Sequence, residues 1–97
     1  SALRAWEQAA QADSAYARYQ LAHLYQAGLG IPTKPQRAFE YIQKAANQGF
    51  AAAQFEMGRY YIEGILLGKN DTLALYWIQS AADQGHAEAQ RYIDQLR

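Results

Sequence analysis

Two stretches of this chain are near-copies of each other. Residues 38–49 read A-F-E-Y-I-Q-K-A-A-N-Q-G, and residues 74–85 read A-L-Y-W-I-Q-S-A-A-D-Q-G. Gly49 and Gly85 lie 36 positions apart (85 − 49), and the same offset aligns the surrounding residues without a gap. Ala15, Ala17, Tyr25, Gly28, Ala38, Ile42, Gln43, Ala45, Ala46, Gln48 and Gly49 recur as Ala51, Ala53, Tyr61, Gly64, Ala74, Ile78, Gln79, Ala81, Ala82, Gln84 and Gly85. Repetition at a period of about 20 to 50 residues marks an array of stacked supersecondary units. One unit cannot bury its apolar face alone, so neighbours must stack.

The apolar spacing makes each unit a helix pair. Ala17, Leu21 and Leu24 follow an i, i+4, i+7 line, with Ala22 and Tyr25 on the neighbouring line, which predicts a helix over 15–27. Gly28 is placed to end it in the left-handed conformation. Residues 28–35 carry two glycines and two prolines and read as a loop, with Ile31 plugging the gap between helices. Pro35 suits the first turn of a helix over about 35–48, with Ala38, Ile42, Ala45 and Ala46 inward, Phe39 and Tyr41 flanking, and Gly49 closing it.

The second copy predicts a helix over 51–63 with Ala53, Met57, Gly58 and Tyr61 inward and Tyr60 facing outward. After a loop containing Ile65-Leu66-Leu67, Asn70 is the expected N-cap of a helix that turns Ala74, Trp77, Ile78, Ala81 and Ala82 inward and stops at Gly85. Residues 2–12 look like the second half of an earlier unit, with Leu3, Trp6, Ala9 and Ala10 on one face, followed by turn and cap chemistry at Asp13-Ser14. Residues 86–97 open a further unit, with Ala87, Ala89 and Gln90 matching Ala51, Ala53 and Gln54; this helix is expected to act as a terminal cap. The organisation is a single repeat domain over 1–97: a half repeat at 1–13, full repeats at 14–49 and 50–85, and a half repeat at 86–97, about six helices and no strand.

These residues resemble the Sel-one-like repeat, a cousin of the tetratricopeptide repeat. Its pattern is small-x-small-x-x-x-Leu-Gly-x-x-Tyr-x-x-Gly-x-Gly-Val, then Ala-x-x-Trp-Tyr-x-x-Ala-Ala-x-x-Gly. The first copy meets it with Ala15, Ala17, Leu21, Ala22, Tyr25, Gly28, Gly30, Ile31, Ala38, Tyr41, Ile42, Ala45, Ala46 and Gly49, and the second with its equivalents through Gly85. Leu66 departs from it by replacing the second loop glycine, so that loop is expected to bend differently. Lys34 stands where an acidic residue is usual, leaving Thr33 to cap. The resemblance implies an all-α, right-handed α-solenoid of antiparallel helix pairs, a tetratricopeptide-like superhelix whose first helices line a concave groove. It implies a scaffold for protein–protein interaction, common in bacteria.

Composition excludes other classes. Of 97 residues, 9 are Lys or Arg and 9 are Asp or Glu, so the net charge is zero and no basic field gathers phosphates; nucleic acid is not expected. No apolar run approaches the ~20 residues of a membrane span, so no membrane insertion is expected. There is no cysteine, hence no disulfide and no thiolate metal site. The chain starts at Ser1 within a helical pattern, with no signal peptide and no initiator Met, and is expected to be a processed chain or a piece of a longer one. The compartment stays open between an exported, periplasmic setting and the cytoplasm.

Helical phase and the resemblance to the tetratricopeptide groove together select Tyr16, Tyr19, His23 and Gln26 as contact residues. Phe55, Arg59, Ile62 and Glu63 follow in the next first helix, and Arg91 and Gln95 in the last. Tyr19 and Phe55 are equivalent positions, as are His23 and Arg59. Aromatics and Arg are the usual anchors of an interface, and such a groove suits an extended or helical peptide. The alternative for Tyr19 and Phe55 is packing between adjacent first helices. Trp6 and Trp77 are read as core.

His23 and His86 have no ligand-type partner at i+3 or i+4, so no metal is expected. Ser1, Ser14 and Ser80 lie in no nucleophile motif, and Gly28-Leu29-Gly30 lacks the strand and further glycine of a dinucleotide loop, so neither catalysis nor a cofactor is expected. Two functions from different classes remain: a module that binds a protein or peptide in the groove, or a structural spacer or self-association module within a longer repeat protein, with no groove ligand; the solenoid ends are the expected surface for any self-association.

Overall fold

The repeats fold as six α-helices: α1 (Ala2–Gln11), α2 (Ala15–Ala27), α3 (Pro35–Asn47), α4 (Ala51–Glu63), α5 (Asp71–Asp83) and α6 (Ala87–Gln95). The computed structural model describes residues 2–11, 14–27 and 35–96, and no strand occurs among them. The expectations for Asp13, Gly28, Gly30, Ile31, Thr33 and Lys34 fall outside the described residues. Each helix packs mainly on the one before and the one after it, giving an all-α solenoid of 45 × 25 × 18 Å.

Small residues set the spacing. Ala17, Ala38, Ala45, Ala53, Ala81 and Ala89 are fully enclosed, and their lack of bulk lets the helices approach until Leu21, Ile42, Met57 and Ile78 fill the space between them. Gly58 is the tightest point. A Cβ there would meet the Ala74 carbonyl at 3.0 Å and Ile78 Cδ1 at 2.9 Å, with Ile78 Cγ1 closer still. The absence of a side chain at Gly58 is what allows α4 and α5 to close.

The period reappears in the hydrogen bonds. The Ser14, Phe50 and His86 N–H groups donate to the carbonyls of Ala9, Ala45 and Ala81, at 3.2, 3.1 and 3.2 Å. At the latter two sites Gly49 and Gly85 take φ of +92°, and their N–H groups donate to Ala46 and Ala82 at 2.9 Å, completing a Schellman ending each time. Two glutamines give the same two helix-end carbonyls a second donor. The Gln54 side-chain amide donates to the Ala46 carbonyl at 3.4 Å, and Gln90 donates to Ala82 at 3.1 Å. Gln84 donates to Gln54 Oε1 and to the Gly49 carbonyl, both at 2.8 Å, so the buried Gln54 is tied into the joint between repeats.

Three helix starts are capped by side chains. Ser14 Oγ accepts from the Ala17 N–H, Asn70 Oδ1 from Leu73, and His86 Nδ1 from Ala89. Leu66, which replaces the second loop glycine of the pattern, adopts φ of +63°. Glycine takes that conformation freely, whereas an L-residue there is strained by about 1–2 kcal/mol.

Two core expectations need correction. Tyr60 is buried and Tyr61 only half-buried, the reverse of the expected pair. The Tyr60 ring meets the edge of Phe39 at 5.1 Å, and its hydroxyl accepts from Gln26 at 2.9 Å, which draws it into the joint. Its counterpart in repeat 1, Leu24, has no hydroxyl to satisfy and stays half-buried. Trp6 and Trp77 are likewise half-buried at the rim, each edge-on to a tyrosine, Tyr16 and Tyr76 respectively.

Candidate functional site

A cavity of about 330 Å³ opens where the C-terminal halves of α2 and α4 meet the start of α3. His23 and Gln26 reach it from α2, and Glu56, Arg59, Tyr60 and Glu63 from α4. Helical spacing explains the grouping: positions 56, 59, 60 and 63 lie at i, i+3, i+4 and i+7, one face of α4. Gln26 donates to Tyr60 across the cavity, which fixes both side chains. His23 stands edge-on to Tyr19, with ring centroids 4.5 Å apart. Its Nε2 is buried and has no hydrogen-bond partner among the described residues. A buried polar atom left unpaired is costly.

The charges sit loosely. Arg59 approaches Glu56 at 3.9 Å and Glu63 at 3.8 Å, and its own side chain is 52% exposed. Such distances exceed those of hydrogen-bonded pairs, so the carboxylates keep most of their accepting capacity. The neighbouring Tyr19 hydroxyl titrates above its usual range: burial is the main cause, and the negative charges of Glu56 and Glu88 add to it, against a smaller opposing effect of Arg59. Burial also raises Tyr60, offset in part by the hydrogen bond from Gln26.

The ten groove candidates do not gather at one place. His23, Gln26, Arg59 and Glu63 share this cavity. Ile62 lines a second one, with Leu75, Tyr92 and Leu96. Tyr16 is exposed and bridges Trp6 and Phe50, with centroids 5.5 and 6.0 Å away. Tyr19 is half-buried against Phe50 and His23, and Phe55 is half-buried with its ring 5.1 Å from that of His86. Arg91 and Gln95 are exposed and line neither cavity. Sequence reasoning missed Glu56 and Tyr60. The signal for Glu56 was present in its i−3 spacing from Arg59.

Two solved structures are similar to this chain. A Sel1 repeat protein from Oxalobacter formigenes matches at 29% identity and a TM-score of 0.86, over 90% of this chain and 36% of its own. The protein c5321 from uropathogenic Escherichia coli, a protective antigen displaying an SLR fold, matches at 27% identity and a TM-score of 0.84, over 91% of this chain and 19% of its own. The chain thus spans about a third or less of either, and both come from bacteria. No curated protein matches it. The Sel1 repeat model matches residues 15–50 and again 51–86, so the chain belongs to the Sel1 repeat family, a scaffold-type and generally non-enzymatic family of all-α solenoids that commonly mediates protein interaction.

Proposed function

We propose that this chain is a protein-interaction module that holds a protein or peptide segment in the groove running along α2, α4 and α6. The observation that supports it is the cavity at the joint of the two repeats. There an unpaired, buried His23 Nε2 stands beside a loosely paired Arg59 and two carboxylates. Side chains kept for folding alone have no need of such an arrangement, whereas a partner's backbone and polar groups would complete it.

The test is a capture experiment from lysate of the source organism, with wild type beside an Arg59→Glu, Glu63→Lys variant. Both residues are exposed, so the variant should keep the helical circular dichroism of wild type. A protein retained only by wild type is then purified and titrated, and the variant should bind it at least tenfold more weakly. Equal affinity would remove the groove from the reading.

A second reading, self-association, is favoured by a different observation. Leu73, Leu75 and Tyr76 on α5 and Leu96 beyond α6 are large apolar residues exposed by 40% or more.

A further inference from the structure

The two cavities flanking α4 are copies by position and differ in chemistry. Gln26, Pro35, Glu56 and Tyr60 line the first; the residues 36 positions later, Ile62, Asp71, Tyr92 and Leu96, all line the second. The solenoid has therefore built the same hollow twice. In the first, an amide, a carboxylate and a phenol face the opening, with Glu63 and Arg59 beside them. In the second, isoleucine, tyrosine and leucine take those places, joined by Leu75, with Lys69 and Asp71 at the same opening.

The first hollow holds two carboxylates against one guanidinium, neither at hydrogen-bond distance from it, and so retains acceptors and a net negative charge. Burial is the main reason that the nearby Tyr19 hydroxyl titrates above its usual range, and the negative charge of Glu56 adds to it. The second hollow offers apolar wall from Ile62, Leu75 and Leu96, with Leu75 42% and Leu96 57% exposed, and one charge of each sign, Lys69 and Asp71, which leaves it no net charge. Each hollow alone is small for a specific site. A ligand that uses both would gain a charged contact at one end and apolar burial at the other.

Resting on the groove reading above, we propose that the two hollows form one bipartite site for an extended peptide: a Lys or Arg side chain enters between Glu56 and Glu63, and a large apolar side chain enters between Ile62, Tyr92 and Leu96. Geometry bounds the spacing. Packed helices lie about 8–10 Å apart, so two steps, α4 to α5 to α6, keep hollows one repeat apart within about 20 Å. Extended chain covers about 3.3 Å per residue, which places the two side chains within about six residues of each other. An acidic peptide is disfavoured, because it would set like charges against Glu56 and Glu63.

The experiment is selection of a displayed eight-residue random peptide library on the chain, repeated on three variants whose folding is checked by circular dichroism. Wild type should enrich peptides pairing Lys or Arg with Leu, Ile, Phe or Trp at one fixed spacing. Glu56→Gln with Glu63→Gln should lose the basic preference and keep the apolar one. Leu96→Asp should do the reverse. In a selected peptide made synthetically, Lys→Glu or Leu→Ser should each weaken binding at least tenfold, the first more at low salt. Peptides enriched by wild type and lost on Arg59→Glu, but lacking the basic–apolar pair, would overturn the bipartite site while leaving the groove reading intact. No enrichment over a target-free control would overturn it too, and the capture experiment would decide the groove separately.

Discussion

Helices α3 and α5 occupy equivalent places in consecutive repeats, and their inner faces match: Ala38, Ile42, Ala45 and Ala46 against Ala74, Ile78, Ala81 and Ala82, all buried. Their outer faces do not. Arg37, Glu40 and Lys44 on α3 are replaced by Leu73, Tyr76 and Ser80 on α5. The change reaches inward. In repeat 1, Tyr25 stacks on Tyr41 at 6.1 Å, and the Arg37 guanidinium lies 5.9 Å from its ring centre, so Tyr25 is buried. With Leu73 at Arg37's position, Tyr61 is only half-buried. The joint cavities teach the same lesson, with Gln26, Glu56 and Tyr60 in one and Ile62, Tyr92 and Leu96 at the equivalent places in the other. Period constrains what faces another repeat; what faces solvent is free to diverge, and that is where a partner reads the chain.

The largest expected effect tests the shared part. Ile42→Ala and Ile78→Ala each leave a cavity in an enclosed site and should cost about 2–5 kcal/mol in urea unfolding. Because the sites are equivalent, the two losses should be alike. A large loss at one and almost none at the other would break the equivalence of the cores.

Next is a core position where the repeats differ, Ala22 against Gly58. Ala22→Gly places glycine inside α2 and should cost about 1 kcal/mol. Gly58→Ala would gain a similar amount from helix propensity. The new methyl meets Ile78 and the Ala74 carbonyl, however, and overpacking costs about 1–3 kcal/mol, so a net loss is expected. If thermal unfolding instead shows a gain, α5 moves aside easily, and the closeness of α4 and α5 does not depend on the glycine.

These positions also show what could be read from sequence. Helix bounds, the inward alanines and isoleucines, the glycine stops and the caps at Ser14, Asn70 and His86 follow from spacing and residue type, because each is local or repeats. The Tyr60–Tyr61 pair was misjudged because repetition alone put Tyr61 in Tyr25's place. What decides burial there is the non-repeating neighbour, Phe39 and Gln26 on one side and Leu73 for Arg37 on the other. Glu56 and Tyr60 escaped the groove assignment for the same reason. The spacing of Glu56 and Tyr60 from Arg59 was legible within α4, but which side chains of other helices converge with them on a cavity was not.

A smaller effect is expected from giving α5 the charges of α3. Leu73→Arg with Tyr76→Glu changes exposed positions, so stability should move by no more than about 0.5 kcal/mol. If this face joins copies of the chain, sedimentation should show a concentration-dependent dimer in wild type that the double variant lacks. A monomer in both would assign the apolar face of α5 no part in self-association.

The last effect concerns Leu66, where the second loop holds a left-handed backbone without a glycine. The side chain is half exposed, so it returns little packing for its strain. Asn tolerates this conformation better than other non-glycine residues, and Leu66→Asn should raise stability by about 0.5–1 kcal/mol. Leu66→Gly relieves the same strain but loosens the unfolded chain, so its gain should be smaller than that of Asn. That order, Asn above Gly above Leu, is the signature of backbone strain. Losses from both changes would mean that the leucine side chain holds the loop against the Tyr61 end of α4, and that the departure from the glycine pattern is itself a packing contact of repeat 2.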